Sequence, residues 1–275
     1  MKKALHTKSV FGVNLVTALN IAEATGFGAV EIVSSKLDNY LNEGFTANDL
    51  AEELKSRNLE AICINDICHI ESPRPEALTQ MLEEAERYSA VAETIGCKYI
   101  QLVPLIELDG RPMDEILKIT GSNTKKICEI GAKHGVSFQL EAVAWSPFNS
   151  LKNGLALIEE VGMPNLGMVV DTWHFYASGE TTFEEIANMD PSLIYNIHFC
   201  DGKALGADGV TDENYLRGYY FEDGDIPLDA YADAIRKSGY KGWWSVELVS
   251  AKHWEMDALK VAQRLSDDLT PYLQS

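Results

Sequence analysis

Residues 166–174 read LGMVVDTWH, a short apolar run that ends on Asp171 and sets His174 three positions further on. Such a run reads as a buried parallel strand delivering polar groups from its C-terminal tip. Three neighbouring stretches repeat the pattern. Glu141 ends the run 137–140, His198 ends 193–197, and Glu247 follows 243–246. Four successive strands therefore each finish on a residue able to hold a divalent cation.

Towards the N-terminus, strand-like runs at 10–15, 29–33, 61–64 and 99–105 continue the series. Amphipathic helical patterns at 17–25, 47–57, 75–95, 114–134, 151–161, 183–189, 228–238 and 256–273 fill the gaps. Thr46 stands where a helix N-cap is expected, and Gly96, Gly135, Gly162 and Gly239 stand where helices should close. Eight strands alternating with eight helices, without a linker rich in Pro, Gly or Ser, predict one (β/α)8 TIM barrel over residues 1–275. The length suits that fold, which takes about 250 residues. An open doubly wound sheet is the competing architecture. It is disfavoured because no GxGxxG or GxxxxGK follows any strand.

Composition narrows the partners. The chain has 42 Asp+Glu against 23 Lys+Arg, a formal charge of -19, and such a field repels phosphate backbones and anionic lipid surfaces. Neither a nucleic-acid nor a membrane partner is expected. No run approaches the roughly 18 apolar residues of a membrane span, and Asn14, Thr17 and Asn20 interrupt any signal-peptide core after Lys2 and Lys3. Five cysteines without a CxxC pair argue against a disulfide framework and fit a reducing cytoplasm. A homo-oligomer is compatible with these features.

In a barrel the C-terminal strand ends share one mouth, so Glu141, Asp171, His198 and Glu247 are expected to form one cup. Three converging carboxylates repel one another unless a cation or protons neutralise them. The oxygen-rich set with one imidazole favours a single Mn²⁺ or Mg²⁺ and tolerates Co²⁺ or Zn²⁺. Trp145 and Trp173 closely follow two of these residues and are candidates to stack on the apolar face of a bound ligand. His69, near the end of the third strand, is a candidate substrate contact or extra acid, a solvent-facing loop histidine being the plainer reading. The long connection 201–228, which carries Arg217 and several tyrosines, reads as a lid or as an oligomer contact.

The chain resembles the xylose isomerase-like TIM barrels of the sugar phosphate isomerase/epimerase superfamily, and within that group the inosose (2-keto-myo-inositol) isomerases. The likeness is carried by AVEIV with LDNYL and DLAEEL, CKYIQLVPL, QLEAV, VVDTWHF, NIHFCD and SVELVSAKHWEMD. It implies that Glu141, Asp171, His198 and Glu247 ligate one divalent metal. It further implies that Glu141 and Glu247 carry protons, while His174 and Arg217 contact substrate oxygens. Glu222 and Asp223 depart from the Pro-Gly usual in the family.

The expected chemistry is a proton shift between carbons of a keto sugar or keto cyclitol. A metal on the ketone oxygen and its neighbouring hydroxyl stabilises an enediolate, and a carboxylate takes and returns the proton. A leaving group β to the enolate would turn the same machinery into a dehydratase or lyase acting on a keto sugar, a cyclitol or dehydroshikimate. A metal-dependent apurinic endonuclease shares the barrel but needs a basic DNA face that this chain lacks. A catalytically idle sugar-binding barrel is the remaining alternative.

Overall fold

A computed structural model describes residues 2–273; Met1, Gln274 and Ser275 fall outside it. Eight parallel strands close a barrel in sequence order: β1 (Lys2–His6), β2 (Ala29–Val33), β3 (Glu60–Cys68), β4 (Tyr99–Val103), β5 (Ser137–Leu140), β6 (Leu166–Asp171), β7 (Ile194–Phe199) and β8 (Trp243–Val246). Closure is made by β1 on β8, with Leu5 opposite Val246. The strands are apolar along most of their length because helices cover the outside while side chains fill the inside. β2, AVEIV, is buried at all five positions.

The helices are α1 (Leu15–Ala24), α2 (Ser34–Asn42), α3 (Ala47–Ser56), α4 (Pro75–Ile95), α5 (Met113–Lys133), α6 (Leu151–Val161), α7 (Thr172–Ser178), α8 (Phe183–Ala187), α9 (Glu213–Leu216), α10 (Leu228–Ser238), α11 (Ala251–Trp254) and α12 (Ala258–Leu269). Local chemistry fixes their ends. Thr46 and Asp49 form a reciprocal capping box on α3. Pro75 opens α4, and Gly96 closes it at φ 71°, a left-handed conformation that costs glycine little. Among the described residues no helix is long and apolar enough to cross a membrane.

The first strand departs from expectation. Residues 10–15 are not a strand: Val10 ends a 3₁₀ turn, and Asn14 caps α1 by accepting the Thr17 N–H at 2.9 Å. A six-residue apolar run is ambiguous between strand and helix start, and here the Asn decides. The true β1, KKALH, was masked by its charges. Lys3 leaves the barrel bottom to reach Ser266 Oγ at 2.6 Å, and the Lys2 ammonium lies 4.7 Å from the Trp243 ring. α2 and α7 were also unforeseen, each following its strand directly.

The barrel interior is layered. Ala4 and Ala29 pair across β1 and β2, and with Ile62 and Trp243 they form a small apolar plug apart from the main core. Two residues further along the same strand faces come His6 and Glu31, since side chains alternate with period two. Polar residues thus occupy the interior from mid-barrel upward. Register shifts interrupt β2–β3 at Val30/Glu31, β3–β4 between Ile64 and Ile67, and β6–β7 at Met168/Val169. Such irregularities re-aim side chains next to sites.

Candidate metal centre and active site

Each member of the predicted quartet reaches the centre from a strand end. Asp171 and His198 are paired neighbours on β6 and β7. Glu141 prolongs β5, its N–H donating to the Leu102 carbonyl at 3.0 Å. Glu247 prolongs β8, and Ser9 Oγ steadies that end by donating to the Val246 carbonyl and accepting the Leu248 N–H.

The four donor atoms lie within 4.8 Å of one another. His198 Nδ1 stands 3.3 Å from Glu141 Oε1, 3.5 Å from Asp171 Oδ2 and 3.3 Å from Glu247 Oε2. Three buried carboxylates converging on one imidazole nitrogen form a donor set fitted to a divalent cation. Behind it, Glu31 Oε2 lies 3.2 Å from His198 Nε2. A carboxylate on the far nitrogen fixes the tautomer and presents Nδ1 as a ligand, the usual support for metal-binding histidines.

The electrostatics follow from burial and this crowding. Burial pushes Glu141 up to about 7. Burial would also raise Asp171 and Glu247, but the Arg217 guanidinium overrides it and holds both well below the carboxylate range. Burial disfavours a charged His198, yet Glu31, Glu247 and the other two carboxylates hold it well above the ordinary imidazole value. Positive charge at the centre is what this cluster selects.

His174 and Arg217 reach the same place. Asp171 doubles as the N-cap of α7, its Oδ1 accepting the His174 N–H at 2.9 Å. Residues three apart share a helix face, so the cap turns His174 towards the cavity and Trp173 away from it. His174 Nδ1 lies 3.2 Å from the Ala144 N–H, and its Nε2 lies 3.3 Å from Arg217 Nη1 and 3.9 Å from Glu141 Oε1. Burial brings this imidazole down to about 4, so it is neutral. Arg217 Nη2 donates to Asp171 Oδ2 at 2.9 Å and to Glu247 Oε2 at 2.5 Å.

Arg217 sits on the long connection between β7 and α10, which is tied down by Asp201. This buried carboxylate accepts the N–H groups of Gly202, Gly224 and Ile226. Antiparallel pairing of Asp201 with Tyr219, and the Lys203 N–H on the Leu216 carbonyl, complete the fold of the loop over the mouth.

Above the quartet lies a cavity of about 360 Å³. Val33, Val103, Leu105, Val143, Trp145 and Val249 form its apolar wall, while Lys8, Asp66, Cys68 and Glu213 add polar groups. Trp145 lines the cavity, its ring 5.5 Å from that of His174. Trp173 does not line it: the residue is fully buried, its indole N–H donates to the Lys203 carbonyl at 2.9 Å, and its ring lies 5.1 Å from the Arg217 guanidinium. Its place is behind Arg217 rather than against a ligand. His69 is also displaced. Half-exposed at φ 60°, it faces Glu107 at 3.5 Å and lines a separate cavity with Arg74 and Ser34.

Reading the sequence missed His6, Glu31, Gln101 and Asp66. Glu31 carried a usable signal, because a charged residue inside an otherwise apolar five-residue strand needs a buried partner. His6 was lost with the misplaced first strand. Gln101 and Asp66 carried no signal of their own in apolar runs.

Comparison with known proteins identifies the family. The xylose isomerase-like TIM barrel family profile matches residues 19–267. An inosose isomerase from Bacillus velezensis is 26% identical over 248 residues, 89% of this chain and 87% of that protein. A 3-dehydroshikimate dehydratase from Bacillus anthracis is 22% identical over 228 residues, 82% of this chain and 75% of that protein. The crystal structure of the IOLI protein with a bound zinc atom superposes with a TM-score of 0.90 at 24% identity, covering 99% of this chain and 98% of that one. By its sequence, its closed eight-stranded barrel and the polar cup at the strand ends, the chain belongs to the xylose isomerase-like TIM barrel family.

Proposed function

We propose that this protein is a divalent-metal-dependent isomerase or epimerase acting on an uncharged keto sugar or keto cyclitol, inosose-like, through an enediolate. The observation that carries the reading is the convergence of Glu141, Asp171, His198 and Glu247 beneath a cavity large enough for a six-membered ring. These four residues would hold the ion; three oxygens and one imidazole suit Mn²⁺, Mg²⁺, Co²⁺ or Zn²⁺, and the zinc of the IOLI protein supports a metal. When bound, the ion supplies Lewis-acid polarisation of a substrate carbonyl, which acidifies the adjacent C–H.

The chain's own groups do the rest. Glu141 and Glu247 are the proton carriers: one takes the proton from the carbon beside the carbonyl. Its return to the neighbouring carbon isomerises the substrate, and its return to the opposite face epimerises it. His174 and Arg217 contact and orient substrate oxygens, and Trp145 covers the apolar face of the ring. The inosose isomerase relative supports a cyclitol as the ring.

The lining supports an uncharged substrate. Of the two cations that line the cavity, Arg217 is already held by Asp171 and Glu247, which leaves Lys8 alone to meet a phosphate or carboxylate beside Asp66 and Glu213. That lining disfavours dehydroshikimate, and His69, the candidate leaving-group acid, lies outside the cavity. Proton exchange is the test. Metal-loaded protein in D₂O with a panel of inososes and keto sugars should show C–H exchange with a rearranged product by NMR. Loss of water would move the assignment to a dehydratase, and no exchange on any compound would leave a binding barrel.

A further inference from the structure

Below the quartet the barrel holds a row of four amides, of which Asn65 and Gln101 also border the cavity while Gln139 and Asn196 lie behind them. Asn65, Gln101, Gln139 and Asn196 come from β3, β4, β5 and β7, and none is more than 4% exposed. Asn196 Nδ2 donates to Gln139 Oε1 at 2.8 Å, and Gln139 Nε2 donates to Gln101 Oε1 at 2.8 Å. Asn65 Nδ2 donates to the same Gln101 oxygen at 3.1 Å. Gln101 Nε2 then donates to Glu141 Oε2 at 3.1 Å.

The row converges on Gln101, whose Oε1 accepts from Gln139 on one side and from Asn65, itself 2.8 Å from His6 Nε2, on the other, and it leaves Gln101 through Nε2 onto a carboxylate. The direction follows from that end, because an ionised carboxylate only accepts and so dictates which side of Gln101 faces it. Hydrogen bonds aligned in series polarise one another, which strengthens the last one. Stability alone does not explain the row. Barrel interiors are ordinarily filled with Val, Ile and Leu, and here Asn65 Oδ1 and Asn196 Oδ1 are left buried without partners.

We propose that Gln101 is a positioning residue for Glu141, with Gln139 and Asn196 aligned behind it. Gln101 holds Oε2 on the barrel side, so that Oε1 alone faces His198 Nδ1 and the centre of the quartet. Without the donor, Oε2 is free to swing towards the centre, and the carboxylate loses the single orientation that ligation and proton transfer share. The inference rests on the proposed ligand role of Glu141.

Gln101→Met and Gln139→Met keep side-chain length and remove the amide. In the exchange assay, on the substrate found for the wild type, Gln101→Met is expected to lower kcat at least tenfold with KM within threefold. Gln139→Met should lower kcat about threefold, because Asn65 still engages Gln101. A second readout needs no substrate: the EPR spectrum of bound Mn²⁺ should change in Gln101→Met as the carboxylate alters its mode of ligation, and change less in Gln139→Met. Unchanged kcat and unchanged EPR in Gln101→Met would overturn the proposal, as would equal losses in both variants matched by equal losses of thermal stability. Should the wild type show no exchange, the functional reading fails, and the Mn²⁺ spectra still decide for or against the positioning role.

Discussion

Replacing Glu31 by Gln isolates the support behind the proposed metal centre. Glu31 is fully buried in the middle of β2, touches no solvent or substrate cavity, and approaches the quartet only through His198 Nε2 at 3.2 Å. Gln has the same shape but no charge, so it no longer raises the basicity of the imidazole. With its NH₂ turned to Nε2, it also favours the tautomer that blocks Nδ1. Loss of such an outer carboxylate typically weakens metal binding about 10–100-fold, equivalent to about 1.4–2.7 kcal/mol. Competition for Zn²⁺ or Mn²⁺ against a chromophoric chelator measures this directly, and urea unfolding of the metal-free variant separates it from a folding defect. Glu31→Asp, which keeps the charge but falls short of Nε2, should lie between Gln and wild type. An affinity within twofold of wild type in folded Glu31→Gln would refute the reasoning, because Glu31 would then have no influence on the Nδ1 ligand.

Glu247→Gln should abolish C–H exchange on the true substrate; near-normal turnover would remove Glu247 from proton transfer. Gly224→Ala should loosen the loop that carries Arg217, because a Cβ there would lie 2.3 Å from Asp201 Oδ1 and 2.6 Å from the Gly202 nitrogen. The expected cost is about 1–3 kcal/mol in urea unfolding, accompanied by a raised KM, and wild-type values for both would show that the loop yields freely. Gly131→Ala, whose Cβ would meet the Phe138 ring at 2.4 Å, should cost a similar ~1–3 kcal/mol and leave KM unchanged. His134 bridges Glu93 at 2.8 Å and Glu86 at 3.0 Å, and those hydrogen bonds raise its pKa above 6.5. Its contribution is therefore complete below about 6.5 and lost as pH rises through the raised folded value. The Tm advantage of wild type over His134→Gln should be present at pH 6 and fade towards pH 8, by less than about 1 kcal/mol in total since the pair is at the surface; an advantage growing with pH would refute the bridge.

The sequence by itself determined the barrel and which four polar side chains meet at its mouth. Strands buried on both faces give unbroken apolar runs, and the polar residue that stops each run is visible for that reason. Glu141, Asp171, His198 and Glu247 could be read because each stands at such a stop. The tertiary structure alone decided what lies between and beneath them. Asp171 caps α7 as well as facing His198, and that one hydrogen bond turns His174 into the cavity and Trp173 out of it. Neither residue's direction is a property of its neighbours in sequence. His69 leaves the site because the chain turns at a left-handed residue after β3. The inner polar row joins residues 65, 101, 139 and 196, spaced tens of positions apart, through bonds that exist only once strand register is set. A local pattern encodes which face of an element is buried; which buried polar group meets which depends on barrel closure, where long-range register brings single atoms within hydrogen-bonding distance.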